Sequence, residues 1–480
     1  MPGLDGAFLS IQSKNSHLHV AAVLILDPPE GKRSLFSPTT RYAQIRRVVE
    51  QRLHLAPPLR QRALEVPFGL HHPVWVDDPE FELDDHLRRA SLPTPGGRGE
   101  LDDLVAEVMS RPLDPDRPLW EMVVVEGLAD GQTALIAKLH HAILDGVSGA
   151  SLLGAFLDLG PRARPIPFPT APWEPEPLPG PATLLRQAAT SLARQPEVAL
   201  GALQRGLDAL VEVAGHNRRL STEGLAPPPA PFSAPRTSLN GNLSSRRRFA
   251  TTTIPLDDAK LARAVLGGTV NDVLLAGVAG ALRRLLERRG EVPDRPLVAL
   301  VPVSTRPADA TTSPGTPLGN HVSGMLISLP IDIDDPVQRL AIVTKSTAVA
   351  KEQERLTGGR LLADLAEVSP PVVASRAARW ATGLGLFKRM PLCNVVVSGV
   401  LGPDFALWCA GSRVAALYPV GPVADGVGLN ITAMTYRGSV HVGVLGCRRL
   451  VPDVAELAVL LDDALGELVG AALEMRGATG

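Results

Sequence analysis

The residues best suited to chemistry lie in one short run, KLHHAILDGVSG, which holds His140, His141, Asp145 and Gly146. The preceding TALIAKL reads as a strand and Val147 to Leu159 as a helix, so the histidines fall at a strand-to-helix turn. A histidine at such a turn can reach into a cleft. With an unperturbed pKa of about 6.5, its neutral imidazole can take a proton from a hydroxyl at cellular pH. Asp145 either orients a histidine or braces the turn by pairing with an arginine. Gly146 admits a backbone conformation or a close approach that a side chain would block. The chain supplies its own control at His71-His72, where the continuation PVWVDDPEF has no Asp-Gly at the matching spacing. That second pair reads as structural.

The elements that must position this turn are α/β in character, with α+β features. EMVVVE (Glu121 to Glu126) and TALIAKL (Thr133 to Leu139) read as strands joined by a turn at Asp130-Gly131. Later runs, FATTTIPL, LVALVPVS, GMLISLPI, NVVVSGV, LNITAMTY and SVHVGVLG, also read as strands, the last two forming a hairpin at Arg437-Gly438. Thr269 to Arg289 predicts a helix with Leu274, Leu275, Val278, Leu282, Leu285 and Leu286 on its apolar face, and Val454 to Met475 a closing helix. Nine prolines between Pro161 and Pro181 exclude a helix or interior strand there. A helical segment with Leu200, Leu203, Leu207 and Leu210 follows, then a second proline-rich run from Leu225 to Pro235. The expected organisation is a first lobe over 1–160, a proline-rich linker with a helical segment over 161–237 and a second lobe over 238–480. A ligand cleft is expected between the lobes.

A chain of 480 residues with 45% hydrophobic and 20% charged residues can bury a sizeable core in two or three folding units. A net charge of −2 argues against a general nucleic-acid binder. Cys393, Cys409 and Cys447 are few and lack C-x-x-C spacing, which fits a reducing compartment and neither a disulfide framework nor a cysteine zinc site. No metal-ligand spacing and no P-loop stand out. MPGLDGAFLSIQ carries Asp5 and no basic region ahead of an apolar run, so no signal peptide is expected. No stretch is long and apolar enough for a membrane span. The expectation is a cytoplasmic protein, in contact with the inner face of a membrane only peripherally.

HHAILDG resembles the HHxxxDG signature of the coenzyme-A-dependent acyltransferase superfamily. More narrowly, the chain resembles the bacterial wax ester synthase/diacylglycerol acyltransferase family, close to its actinobacterial triacylglycerol synthase branch. The likeness runs through LDGAFLSIQ, HLHVAAVLILD, HPVWVDDPEFELDDHLRR, RPLDPDRPLWEM with the PLW motif at Pro118, Leu119 and Trp120, and GGTVNDVLLAGVAGALR with the ND motif at Asn271 and Asp272. VPVSTR, GNHVSGMLISLP, NVVVSGVLGP and ALYPVGPVADGVGLNIT complete it. The departures are small: His321 stands where many relatives carry a bulkier or basic residue, and Val400-Leu401 stand where relatives read NVPGP.

The resemblance implies two chloramphenicol-acetyltransferase-like lobes with mixed sheets and a tunnel between them. Long-chain acyl-CoA would enter from one face and diacylglycerol or a long-chain alcohol from the other, at a membrane or lipid-droplet surface. Acyl-CoA would be a substrate, and no cofactor is implied. His141 would be the general base and His140 would shape the turn. Pro118, Leu119 and Trp120 either line the tunnel or sit in the core. Asn271 either has a substrate-binding role, shaping the tunnel or donating to a developing oxyanion, or only helps start a helix, since Thr269 and Asp272 are spaced as a capping box. Arg246 to Arg248 either meet anionic groups of a substrate or lipid or form a solvated face. Two other functions share HHxxxDG: a condensation-type or polyketide-linked acyltransferase, and a catalytically weak lipid-binding scaffold.

Overall fold

Alternating apolar runs pair into two six-stranded mixed sheets in the computed structural model, which describes residues 6, 8–9, 12–28, 40–143, 154–167, 171–304, 322–357 and 390–478. In chain order the first part supplies β1 (His19–Leu26), α1 (Arg41–Arg52), a two-stranded ribbon of β2 (Gln61–Leu64) and β3 (Val74–Asp77), β4 (Leu87–Ser91), α2 (Arg98–Ser110), β5 (Trp120–Glu126) and β6 (Thr133–His140). A long helix, α3 (Pro181–Thr222), follows the proline-rich run. The remainder supplies β7 (Arg247–Pro255), α4 (Leu256–Leu266), α5 (Val270–Arg288), β8 (Leu297–Ser304), β9 (Val322–Leu329), α6 (Pro336–Thr357), β10 (Val395–Val400), β11 (Trp408–Cys409), β12 (Ser412–Val420), β13 (Leu429–Tyr436), β14 (Ser439–Cys447) and α7 (Val454–Ala478).

The first sheet has the order β11-β12-β1-β6-β5-β4 and the second β7-β14-β13-β10-β8-β9. Residues 408–420, inside the expected second lobe, therefore complete the first sheet: β12 lies antiparallel to β1 with Ala21 opposite Val420. The 238–480 stretch is thus not confined to one lobe. The two hairpins expected from sequence form where expected. Asp130 and Gly131 take φ of 60° and 71°, and Arg437 and Gly438 take 45° and 76°, the left-handed geometry of tight hairpin turns.

Helix α5 is apolar nearly all round and is buried accordingly, with Val273, Leu274, Leu275, Val278, Leu282, Leu285 and Leu286 in the second lobe's core. Gly277 lets α7 approach closely, because a Cβ there would fall 2.6 Å from Leu465. The first sheet is covered on one face by α1 and on the other by α2. The second face, which includes Tyr418 of β12, is shared with Phe249 and Leu445 of the opposite lobe. Most of the expected Val147 to Leu159 helix lies outside the described residues. Among the described residues no single helix is long and apolar enough to cross a membrane.

Candidate active site

The two histidines are held by backbone hydrogen bonds from three directions. His140 ends β6 opposite His19 of β1, and its N–H donates to the Leu119 carbonyl at 2.9 Å. The His141 N–H donates to the Leu18 carbonyl at 3.1 Å, and the Ile143 N–H closes the turn onto the His140 carbonyl at 3.0 Å. Leu18 takes a φ of 49° to present that carbonyl. His140 is 1% exposed, and its Nδ1 accepts the Ala142 N–H at 3.1 Å. A neutral His140 therefore carries its proton on Nε2.

Burial pushes the His140 pKa down to about 3, with the His141 charge adding and the His17 backbone opposing. The His141 pKa is also lowered by burial, and its own backbone carbonyl acts in the opposite direction. Phe8 packs on the His141 ring at a centroid distance of 4.7 Å. Both imidazoles are thus neutral at physiological pH, the state a general base requires.

His17 and His19, which have no partner visible in the sequence, extend this cluster. Their rings stack at 5.3 Å, and His19 meets His140 edge-on at 6.0 Å. Burial lowers the His17 pKa to about 4, helped by the charges of Arg247 and Lys138, and holds His19 well below its ordinary value. Lys138, two positions before His140, carries no signal in the sequence, because its partners lie on other elements. It is fully buried on β6 and donates to the Val108 carbonyl at 2.8 Å, the Arg111 carbonyl at 2.6 Å and Glu121 Oε1 at 2.8 Å. It thereby ties the end of α2 to the strand that delivers the histidines. Burial lowers its pKa and Glu121 opposes the shift.

The PLW residues Pro118, Leu119 and Trp120 are all buried. The Trp120 indole N–H donates to the Leu59 carbonyl at 2.8 Å, and the ring stacks on His86 at 4.6 Å. His86 is joined a second time to Trp120 through Nδ1 and the Trp120 carbonyl, 2.8 Å apart. The motif meets the site through its backbone, since the Leu119 carbonyl receives the His140 N–H.

At the start of α5 the capping box forms. Asp272 Oδ2 accepts from the Thr269 N–H at 2.8 Å, and the Asp272 N–H donates to Thr269 Oγ1 at 3.2 Å. Asp272 Oδ1 accepts from Thr347 at 2.6 Å, so Asp272 is a buried cap. Asn271 is half-buried and lies against Gly399 of β10. β10 runs parallel to β13 and β8, with Val400 opposite Met434. Met434 and Tyr436 pack into the same apolar cluster as Ile143, just past the histidine turn. The carboxyl end of this parallel trio and the histidine turn therefore border one region between the lobes, the kind of crevice where α/β sheets bind ligands.

Asp145, Gly146 and His321 lie outside the described residues. Beyond that gap the chain is pinned again at Asp158, whose carboxylate accepts both hydrogen bonds of Arg52 Nη2 at 2.8 Å. Asp158 also exchanges backbone hydrogen bonds of 2.8 Å with Trp408 of β11. The Arg246 to Arg248 run is neither a uniformly solvated face nor a free cationic patch. Arg247 is 5% exposed and bonds to the Ser244 and Asn15 carbonyls, while Arg248 pairs with Asp103 at 3.1 Å. His441 sits in the seam between lobes with Thr253 and Tyr418.

Residues 1–274 match the wax ester synthase/diacylglycerol acyltransferase catalytic domain, and residues 318–469 match the C-terminal domain of the same enzymes. A candidate diacylglycerol O-acyltransferase of Mycobacterium tuberculosis is 36% identical over 473 residues, 98% of this chain and 90% of the relative. The solved wax ester synthase/diacylglycerol acyltransferase of Marinobacter aquaeolei VT8 superposes with a TM-score of 0.68 at 28% identity, covering 98% of both chains. The first condensation domain of the calcium-dependent antibiotic synthetase shares the fold, with a TM-score of 0.52 at 17% identity over 98% of this chain and 95% of that one.

Proposed function

The chain belongs to the wax ester synthase/diacylglycerol acyltransferase family, and on that premise we propose that it moves a long-chain acyl group from acyl-CoA to diacylglycerol, and also to long-chain alcohols. One observation carries the site assignment: His141 sits on a turn fixed by three backbone hydrogen bonds, next to imidazoles that burial keeps neutral.

In this reading His141 takes the acceptor's hydroxyl proton as the oxygen attacks the thioester carbonyl. The tetrahedral intermediate then collapses, the carbon–sulfur bond breaks, and the same imidazole returns the proton to the CoA thiolate. One base serves both half-steps in a ternary complex, so no acyl-enzyme is needed. Asn271 donates a side-chain N–H to the developing oxyanion. Asp145 and Gly146 lie outside the described residues; this reading assigns them, from the sequence motif alone, to bracing the turn and to its conformation. His140 acts as a positioning residue, because its Nδ1 is already occupied by the Ala142 N–H. Both acceptors are lipids, so the protein would work at a membrane or lipid-droplet surface as a peripheral protein.

The test is purified protein with oleoyl-CoA and either dioleoylglycerol or hexadecanol, followed by product chromatography. Transfer to both is expected, with dioleoylglycerol preferred. His141→Ala should lower kcat by roughly 10²–10⁴-fold while acyl-CoA binding persists. Near-normal turnover by a folded His141→Ala variant would overturn the base assignment. Lipid binding without transfer in the wild type would favour a scaffold instead.

A further inference from the structure

Nothing in the backbone at Gly399 calls for glycine: it is a strand residue of β10, opposite Ala433 of β13, with no left-handed φ. A side chain of the neighbouring helix calls for it. A Cβ built on Gly399 would fall 2.8 Å from Asn271 Oδ1 and 3.8 Å from Asn271 Cγ, and among the described residues it would meet nothing else within 4 Å beyond its chain neighbours. Glycine within a strand weakens it, and it commonly marks a place where another group approaches the backbone closely. Here the approaching group is the carboxamide at the start of α5.

We infer that Gly399 is a positioning residue for Asn271: its missing side chain lets the carboxamide oxygen rest on the strand, which leaves the Nδ2–H groups as the donors available to the oxyanion. The oxygen is the atom suited to that place. A glycine Cα–H is a weak donor to a carbonyl oxygen, whereas an amide N–H would find no acceptor in it. The next position along β10 is Val400, paired with Met434, so the contact lies at the strand end that borders the histidine turn. The inference rests on the reading of Asn271 as an oxyanion donor. It adds that a residue of another element sets that donor's orientation.

The test is a double-mutant cycle on the full chain, with kcat, KM for oleoyl-CoA and melting temperature measured for Gly399→Ala, Asn271→Ala and the double variant. A Cβ at 2.8 Å forces the carboxamide to move, and misplacing a catalytic group by about 1 Å can cost up to about 100-fold. Gly399→Ala should therefore lower kcat by roughly 10–100-fold, with KM and melting nearly unchanged. In the Asn271→Ala background the same substitution should leave kcat within about 2-fold, because nothing remains to displace. Three results overturn the inference. If Gly399→Ala keeps normal kcat while Asn271→Ala loses it, the positioning role fails and the donor reading survives. If Gly399→Ala costs the same factor in both backgrounds, it acts by distorting the strand. If Asn271→Ala itself keeps normal kcat, the donor reading fails and takes this inference with it.

Discussion

Trp120→Phe separates a core role for the PLW motif from a role in lining the substrate path. The indole is 3% exposed, donates to the Leu59 carbonyl at 2.8 Å and stacks on His86 at 4.6 Å. Phenylalanine keeps an aromatic face for His86 and removes the donor. The Leu59 carbonyl is then buried without that partner, at a cost of about 1–3 kcal/mol. The smaller ring leaves unfilled volume and loses part of the stacking, adding about 1 kcal/mol. A total of about 2–4 kcal/mol, with a urea m-value of about 3–4 kcal/mol/M for a chain of this size, moves the unfolding midpoint down by roughly 0.5–1.3 M. Circular dichroism in urea reads the midpoint, and initial rates against oleoyl-CoA read KM on the same preparation. KM should change by less than about 2-fold, because the indole meets protein on its contacting faces. A KM raised roughly 5-fold or more with an unmoved midpoint would refute the core assignment and put the indole on the substrate path.

The remaining predictions concern protons. Because burial lowers the His141 pKa below 6.5, its base form persists at lower pH than that of an ordinary histidine. At pH 6 kcat/KM should retain more of its plateau value than the about one quarter that a base with an unperturbed pKa of about 6.5 would keep; a fall to a quarter or below there would contradict the buried, neutral assignment. Stability should decline in acid, since His17 and His441 with pKa values of about 4 and His140 at about 3 take up protons on unfolding once the pH drops below 6.5. Asp102, raised to about 7 mainly by burial, pulls the other way between about pH 4 and 7, as one group against several. Melting temperature should therefore fall as the pH is lowered from 6.5 toward 4, and His441→Gln should flatten that decline.

What was legible in the sequence was local. The hairpin turns at Asp130-Gly131 and Arg437-Gly438 declare themselves through their glycines and Asp130, residue types that accept positive φ, with Arg437 carried along at 45°. α5 declares itself through its 3.6-residue period and its Thr269/Asp272 cap. The strand-to-turn placement of His140 and His141 was legible because the hydrophobic run and the histidines are contiguous. What was hidden depends on partners far along the chain. Lys138 looks like one polar position in a strand until Val108, Arg111 and Glu121 surround it. Arg247 looks like part of a basic face until the Asn15 carbonyl meets it from the other lobe. Trp120 looks like a candidate tunnel wall until the Leu59 carbonyl accounts for its N–H. No composition shift marks residues 408–420 as belonging to the first sheet, because only the long-range pairing of β12 with β1 puts them there.

That pairing bears directly on how the site is held. β1 lies between β6, which carries His140, and β12, which comes from the far part of the chain, with His19 opposite His140 on one side and Ala21 opposite Val420 on the other. A one-residue slip in either ladder would turn the core-facing side chains of a strand to its other face, so burial on both faces of the sheet fixes both registers together. The lobes are joined again by Ser13 Oγ donating to Asp425 Oδ2 at 2.7 Å and by Asn15 Nδ2 donating to the Leu243 carbonyl at 3.0 Å, both just ahead of β1. The segment that supplies the Leu18 carbonyl to His141 is therefore anchored to the opposite lobe a few residues earlier. A single base serving two substrates without a covalent intermediate works only while both are held in fixed relation to it. In this chain the setting of His141 does not depend on two domains docking independently, because the strand next to the histidine turn and the strand that pairs with it from the other side come from opposite parts of one interlocked chain.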